Sequence, residues 1–386
     1  MTEKARAGQA FEIDGNRLAL LVEGPERLDA LITLIEGAAH SLRLLYYAYA
    51  PDNAGTRVRD ALIAAAGRGV TVSLVVDGFG SSASDSFFQP LRDAGASLCR
   101  FVPRWGRRYL LRNHQKMAVA DEARAIIGGF NVADDYFAER PGREWRDLGL
   151  SVEGPEIGPL AGYFDALSEW ARRPGATIRS LRHALDKWSE TRGKTRWLLG
   201  GPARRLSPWV LAMKRDLTRC ERLDMITAYF APNPAMLRRL ERICDRGGIA
   251  RVVTAAKTDN GATIGAARHC YARLLRHRVE VWEYQPVKLH TKLFVVDDIV
   301  HLGSANFDMR SLYLNLEIML RIKDKAFADH IRAYVEGELA YSTQITSEVH
   351  AKASGWFNRL RWGIAYFMVA VLDYGVARRL NFGIES

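Results

Sequence analysis

The sequence predicts a duplicated, layered α/β protein. Three observations carry that expectation. Helices and short apolar strands alternate along the first half. The same order returns after about 180 residues. Each half then delivers the same short motif at the same point of the repeat. At 386 residues the chain is also too long for one ordinary core. Two similar domains are expected over 10–172 and 196–345, joined by a polar linker at 173–195 and followed by a basic, aromatic segment over 346–386.

Gly24-Pro25 opens a helix whose apolar face is Leu28, Leu31, Ile32 and Ile35. Leu42 to Tyr49 reads as a strand ended by Pro51-Asp52-Asn53. Thr56 is expected to cap an alanine-rich helix that stops at Gly67-Arg68-Gly69, and Val70 to Val76 follows as a buried parallel strand. A helix to Ala94, a Gly95 stop and the strand Ser97 to Val102 complete the rhythm. In the second half the strand Leu223 to Phe230 closes on Ala231-Pro232, as Ala50-Pro51 closes the earlier one. Helix Ala235 to Arg246, strand Ile249 to Ala255, helix Gly265 to Leu275 and strand Val279 to Tyr284 match the first series.

Each half next carries His-x-Lys-x4-Asp followed by Gly-x-x-Asn. The first copy is His114, Lys116 and Asp121 with Gly128-Gly129-Phe130-Asn131, and the second is His290, Lys292 and Asp297 with Gly303-Ser304-Ala305-Asn306. One such motif is weak; two copies at equivalent places in a repeat are specific. On a strand, residues at i and i+2 share a face, so each His and Lys can converge on one anion. Asn131 and Asn306 offer neutral donors, and Gly128-Gly129 and Gly303-Ser304 are small enough for close approach, with Ser304 counted among the substrate-binding candidates.

Halves brought face to face would gather two imidazoles, two ammoniums and two carboxamides around one phosphate. The lysines can stabilise developing charge, so neither metal nor cofactor is expected. One neutral imidazole would attack phosphorus while the other, protonated, serves the leaving alcohol. Such imidazoles need a carboxylate on the second nitrogen. Glu317 follows the second motif and Asp147 the first, with Glu144 as a substitute for Asp147. Asp121 and Asp297 are counted with the catalytic set as motif members. Their offset of seven residues turns them to the opposite face of a regular strand, which suits structural hydrogen bonding better than proton transfer. Lys257, with Asp259, follows a predicted strand, where α/β sheets place ligand contacts.

These paired motifs resemble the phospholipase D superfamily. The surroundings look like bacterial cardiolipin synthases at Val76-Asp77-Gly78-Phe79-Gly80-Ser81, Trp145-Arg146-Asp147, Tyr229-Phe230, Lys257-Thr258-Asp259 and Glu283-Tyr284-Gln285-Pro286, over residues 15–345. The resemblance implies two α/β/α sandwich domains related by pseudo-twofold symmetry, with the active site between them. It also implies phosphatidyl transfer through a phosphohistidine, with His114 as nucleophile, from anionic phospholipids such as phosphatidylglycerol. The location implied is peripheral, on the cytoplasmic face of a bacterial inner membrane. Three departures stand out: the second hairpin is one residue shorter, Gly129 replaces a common Ser, and Leu45 replaces a common acidic residue. Alternatives in the same superfamily are a phospholipase D that hydrolyses, a metal-independent nuclease, and a lipid binder without activity.

Composition bears on the partner. Fifty-five Lys+Arg against 44 Asp+Glu give a net charge of +11, which favours an anionic partner, nucleic acid or membrane. The tail favours membrane and makes nucleic acid the weaker reading. Trp356-Phe357 leads through Arg359 and Arg361 into Trp362 to Leu372, which carries no charge, and then to Arg378-Arg379. A helix docked on the protein's own core is the competing reading of that tail. A second basic-aromatic run, Arg104 to Arg112, precedes His114. Cys99, Cys220, Cys244 and Cys270 lack metal or disulfide spacing and read as buried thiols. Met1 to Asn16 shows no signal-peptide core, and no stretch reaches the roughly 20 apolar residues of a membrane span.

Overall fold

The computed structural model describes residues 9–102, 111–138, 142–190, 192–203 and 206–372. Two eight-stranded mixed sheets dominate it. The first runs in the spatial order Ala10–Ile13, Asn16–Leu21, Gly149–Glu153, Arg124–Gly128, Met117–Ala120, Ser41–Tyr46, Thr71–Asp77, Ser97–Phe101. The second runs Thr195–Gly200, Glu317–Lys323, Ile299–Gly303, Lys292–Val296, Arg222–Thr227, Ile249–Ala255, Glu280–Tyr284, Ser342–Gln344. Seven positions correspond between them, and each sheet adds one edge strand, on opposite sides.

Within each sheet three strands are parallel, Ser41–Tyr46 to Ser97–Phe101 and Arg222–Thr227 to Glu280–Tyr284. The middle strand of each three, Thr71–Asp77 or Ile249–Ala255, is largely buried on both faces and reads as a mostly apolar run, as expected of crossover-linked strands. The strand inside each motif, Met117–Ala120 or Lys292–Val296, lies antiparallel against the first of the three and turns back in a tight hairpin. The first crossover helix is Asn53–Gly67, and its cap is Asp52, whose carboxylate accepts from the Gly55 N–H. Thr56 lies inside the first turn, so the capping role expected of it belongs to Asp52. A carboxylate satisfies the orphan donors and also suits the positive end of the helix dipole.

The largest apolar cluster is shared between halves. Leu150, Tyr163 and Phe164 of the first meet Leu320, Phe327 and Val335 of the second within it. Helices Ile157–Arg172 and Lys325–Leu339 fill this layer, and each half keeps a further core on its outer side. The stretch 173–195, expected as a linker, holds the helix Ile178–Trp188. Thr177 caps it, and Leu181 and Leu185 are buried in the shared layer. Its polar composition reflects the outer face of an amphipathic helix rather than loose chain. All four cysteines are buried thiols. No helix among the described residues is long and apolar enough to cross a membrane.

Candidate active site

The two motifs meet where the halves cross. The His114 N–H donates to the Leu316 carbonyl at 3.0 Å, and the Leu316 N–H returns a bond to Arg112. Symmetrically, Lys288–Leu289 pairs in parallel with Trp145–Arg146, and the His290 N–H donates to the Arg146 carbonyl at 2.7 Å. Each histidine is thereby pinned beside the residue that precedes the other half's carboxylate.

The side chains follow the backbone. His114 Nδ1 lies 3.0 and 3.1 Å from the two oxygens of Glu317, and His290 Nδ1 lies 2.6 Å from Asp147. The carboxylates offered by the sequence are both present, and they are exchanged between halves. This leaves Nε2 of each ring as the nitrogen turned away from its carboxylate.

The two carboxylates are supported differently. Glu317 accepts from the Ser304 hydroxyl at 2.5 Å and from the Ser311 hydroxyl at 2.9 Å. Asp147 accepts from the Leu148 N–H at 2.8 Å. A Cβ at Gly129, the counterpart of Ser304, would fall 2.4 Å from Asp147 Oδ1. The glycine that departs from the family pattern therefore makes room for the shorter acid. Ser304, counted as substrate-binding, is fully buried with its hydroxyl committed to Glu317, so it positions a carboxylate instead.

Burial and like charge govern the electrostatics. Lys116 and Lys292 are both almost fully buried, and each ammonium donates to the carbonyl of its own histidine, His114 and His290. Burial pulls both lysines down, Lys292 to about 8, against the pull of nearby carboxylates. Burial also disfavours protonation of both imidazoles, and the lysines add to it. His290 falls to about 3, partly restrained by Asp147, and His114 falls well below its usual range. Burial pushes Glu317 up to about 7 despite Lys116 and the two serine donors. Asp147 feels the same burial, but the His290 and Lys292 charges and the His290 bond carry it below its ordinary value. Asp147 is thus the more firmly ionised of the two acids, and both imidazoles are held below their ordinary range. A phosphate anion between the lysines would offset their charge and raise both imidazoles.

Aromatic rings wall the histidines. Tyr47 meets His114 at 5.0 Å between centroids, and Trp145 and Tyr136 meet His290 at 5.1 and 5.2 Å. Asn131 spends its amide on the Ala48 N–H and the Tyr136 hydroxyl. Asn306 is buried, and among the described residues its Oδ1 lacks a partner. Of the two carboxamides, Asn306 keeps the unmet hydrogen-bonding capacity.

Asp121 and Asp297 leave the catalytic set. Both sit in left-handed backbone, φ 53° and 50°, in the hairpin turns at the far ends of their strands. Asp121 accepts from the Ala39, His40 and Ser41 N–H groups, and Asp297 from Glu221 and Arg222. They clamp each hairpin to the start of the neighbouring strand. Lys257 is exposed and donates to the Pro286 carbonyl at 3.0 Å, bracing the loop that leads to His290. Asp259 instead accepts from the Tyr229 hydroxyl at 2.7 Å and lies within electrostatic range of His290. Of the run Arg104 to Arg112, residues 104–110 lie outside the described residues. No motif or spacing in the sequence marks Ser311, Tyr47 or Tyr136 as site residues. Ser311 lies three residues past the helix cap Asp308, a spacing that signals a helix start and nothing about Glu317.

Comparison with known proteins agrees with this architecture. Residues 31–167 and 214–339 match the family described as cardiolipin synthase, PLD-like domain. The chain is 31% identical to cardiolipin synthase A of Pseudomonas entomophila, over 86% of this chain and 70% of that one. It is 29% identical to cardiolipin synthase 1 of Bacillus anthracis, over 88% and 70%. In fold it is similar to phosphatidylserine synthase of Haemophilus influenzae, with a TM-score of 0.72 at 14% identity, covering 93% of both chains. Polyphosphate kinase of Porphyromonas gingivalis aligns at a TM-score of 0.58 and 17% identity, over 86% of this chain and 49% of that one.

Proposed function

Because the chain belongs to the phospholipase D-like cardiolipin synthase family, we propose that it is a phosphatidyltransferase that joins two anionic phospholipids through a phosphohistidine on His114. The exchange of carboxylates between the halves supports this reading above all. It supplies two imidazoles, each held at Nδ1 by a carboxylate, beside two buried lysines, the set an in-line displacement at phosphorus requires.

In the first half-reaction His114, its Nδ1–H held by Glu317, attacks the phosphorus of the donor through Nε2. The bond from phosphorus to the glycerol headgroup breaks, and His290 delivers its proton to the leaving oxygen. In the second, a glycerol hydroxyl of another phospholipid gives its proton to His290 and attacks phosphorus. The phosphorus–nitrogen bond breaks and His114 is restored. Lys116 and Lys292 stabilise the charge on the non-bridging oxygens throughout. Phosphatidylglycerol suits both roles, because its headgroup is the leaving glycerol in one step and the attacking hydroxyl in the other. Such substrates fit a membrane-associated bacterial enzyme, here taken to work on the cytoplasmic face.

Lipid mass spectrometry after incubation with phosphatidylglycerol vesicles tests the function. A four-chain lipid with release of free glycerol is expected; phosphatidic acid as sole product would make the enzyme a hydrolase.

The pH dependence has a defined sign. Attack through Nε2 needs Glu317 ionised to hold the Nδ1–H, and Glu317 titrates near 7. Turnover at low substrate should therefore fall as pH drops below about 7. In Glu317→Gln the amide oxygen accepts the same bond without titrating, so that acid limb should vanish from kcat/KM at a lower plateau. An acid limb unchanged in the variant would remove Glu317 from this role.

A further inference from the structure

We infer that the exposed face of the C-terminal helix is a membrane-contact surface that brings the mouth of the active site onto an anionic bilayer; this rests on the proposed lipid chemistry. Helix Trp356–Tyr366 is docked by one face only. Trp362 is buried and stacks on His350, and Tyr366 stacks on His269 and donates to the Pro232 carbonyl at 2.7 Å. Gly265 lets the helices come together, since a Cβ there would fall 3.0 Å from Ala365 Cβ. This docking is the competing reading of the tail, and it accounts for one face of the helix.

Among the described residues the opposite face has no such cover. Trp356, Phe357, Leu360, Ile364, Phe367 and Met368 lie at helical spacing, each at least half exposed, with Trp356 at 79% and Phe357 at 61%. They form one stripe opposite Trp362. Arg359 and Arg361 are exposed beside it, and no carboxylate occurs from Trp356 to Leu372. Two aromatics, aliphatic neighbours and only positive charge describe a helix lying in the headgroup layer of an anionic leaflet. A protein partner would need acidic complements to those arginines, which a leaflet of anionic phospholipid supplies along its whole area.

Position ties the stripe to the chemistry. The helix packs on Gly261–Arg276, which begins directly after Asp259, the residue bonded to Tyr229. Beyond Tyr366 the chain packs Ala370 against Ala231 and Met309. Those two residues belong to the short elements Phe230–Ala231 and Met309–Tyr313, which adjoin Tyr229 and follow Asn306. The stripe therefore runs toward the rim of the site, and a lipid lifted slightly from the leaflet meets it there.

The test compares the full-length protein with Trp356→Ser/Phe357→Ser and, separately, with Ile364→Ser/Phe367→Ser. Flotation uses vesicles of phosphatidylglycerol and phosphatidylcholine, with phosphatidylcholine alone as control. Both variants should lose vesicle binding by about tenfold or more, as expected when buried aromatic area is removed from an interfacial helix. Their turnover of vesicle lipid should fall relative to that of dispersed short-chain phosphatidylglycerol. His114→Ala should float as the parent does, which separates failure of the chemistry from failure of the surface. Parental vesicle binding by both double variants would overturn the proposal. So would loss of a dimer by sedimentation with vesicle binding intact, because a second copy would then cover the stripe.

Discussion

Replacing His114 or His290 by alanine is expected to abolish phosphatidyl transfer, with losses of about 10⁴-fold or more. His114→Ala removes the attacking nitrogen, so no acid-labile phosphoenzyme should form. In the proposed mechanism His290→Ala removes the proton donor, so a donor lipid with a good leaving group, such as a nitrophenyl ester, should still transfer its phosphatidyl group to His114. Trapping labelled enzyme with each donor separates the roles; label on His290→Ala with neither donor would exchange them. The crossed pairs add a further expectation. His290→Ala with Asp147→Asn should cost little more than His290→Ala alone, because the carboxylate acts through that ring.

The second large effect concerns the lysines. Lys116→Met or Lys292→Met should lower kcat/KM by about 10²–10³-fold, the scale of one lost oxyanion stabiliser. Stability should not follow. Both ammoniums are almost wholly buried, and burial already depresses their affinity for a proton. An apolar side chain of similar length removes that desolvation cost, and Glu317, titrating near 7, can take up a proton to rebalance the site. Thermal melting should show Tm unchanged or raised. Inorganic phosphate should raise the Tm of the parent and have less effect on either variant. A marked fall in Tm would mean that the lysines hold the fold together rather than serve the phosphate.

Much of this architecture was legible in the sequence because it is local. The strand Ile249–Ala255 ends where its apolar run ends, and the repeat of elements announced two sheets. Leu42 to Tyr49 was read as one strand; the strand stops at Tyr46, and Tyr49 pairs with Val132 in an isolated bridge. A run of apolar residues cannot distinguish a ladder from a buried loop. The identities of the motif residues were legible too, as spacing alone puts His beside Lys. Which carboxylate serves which histidine was not, since it depends on the register between Lys288–Leu289 and Trp145–Arg146, segments far apart in sequence. Ser304 failed for a related reason. Its hydroxyl looked available until Glu317 from a later strand claimed it.

The exchange of carboxylates has a bearing on ancestry. A protein of half this length would hold one imidazole together with an acid aimed outward, unable to reach its own ring. Two such molecules clasped about a twofold axis would complete both pairs at once. Joined in one polypeptide, the two copies are free to differ, as the Gly129–Asp147 and Ser304–Glu317 combinations do. In the proposed mechanism the single polypeptide gives its two imidazoles different tasks, attack for one and proton donation for the other.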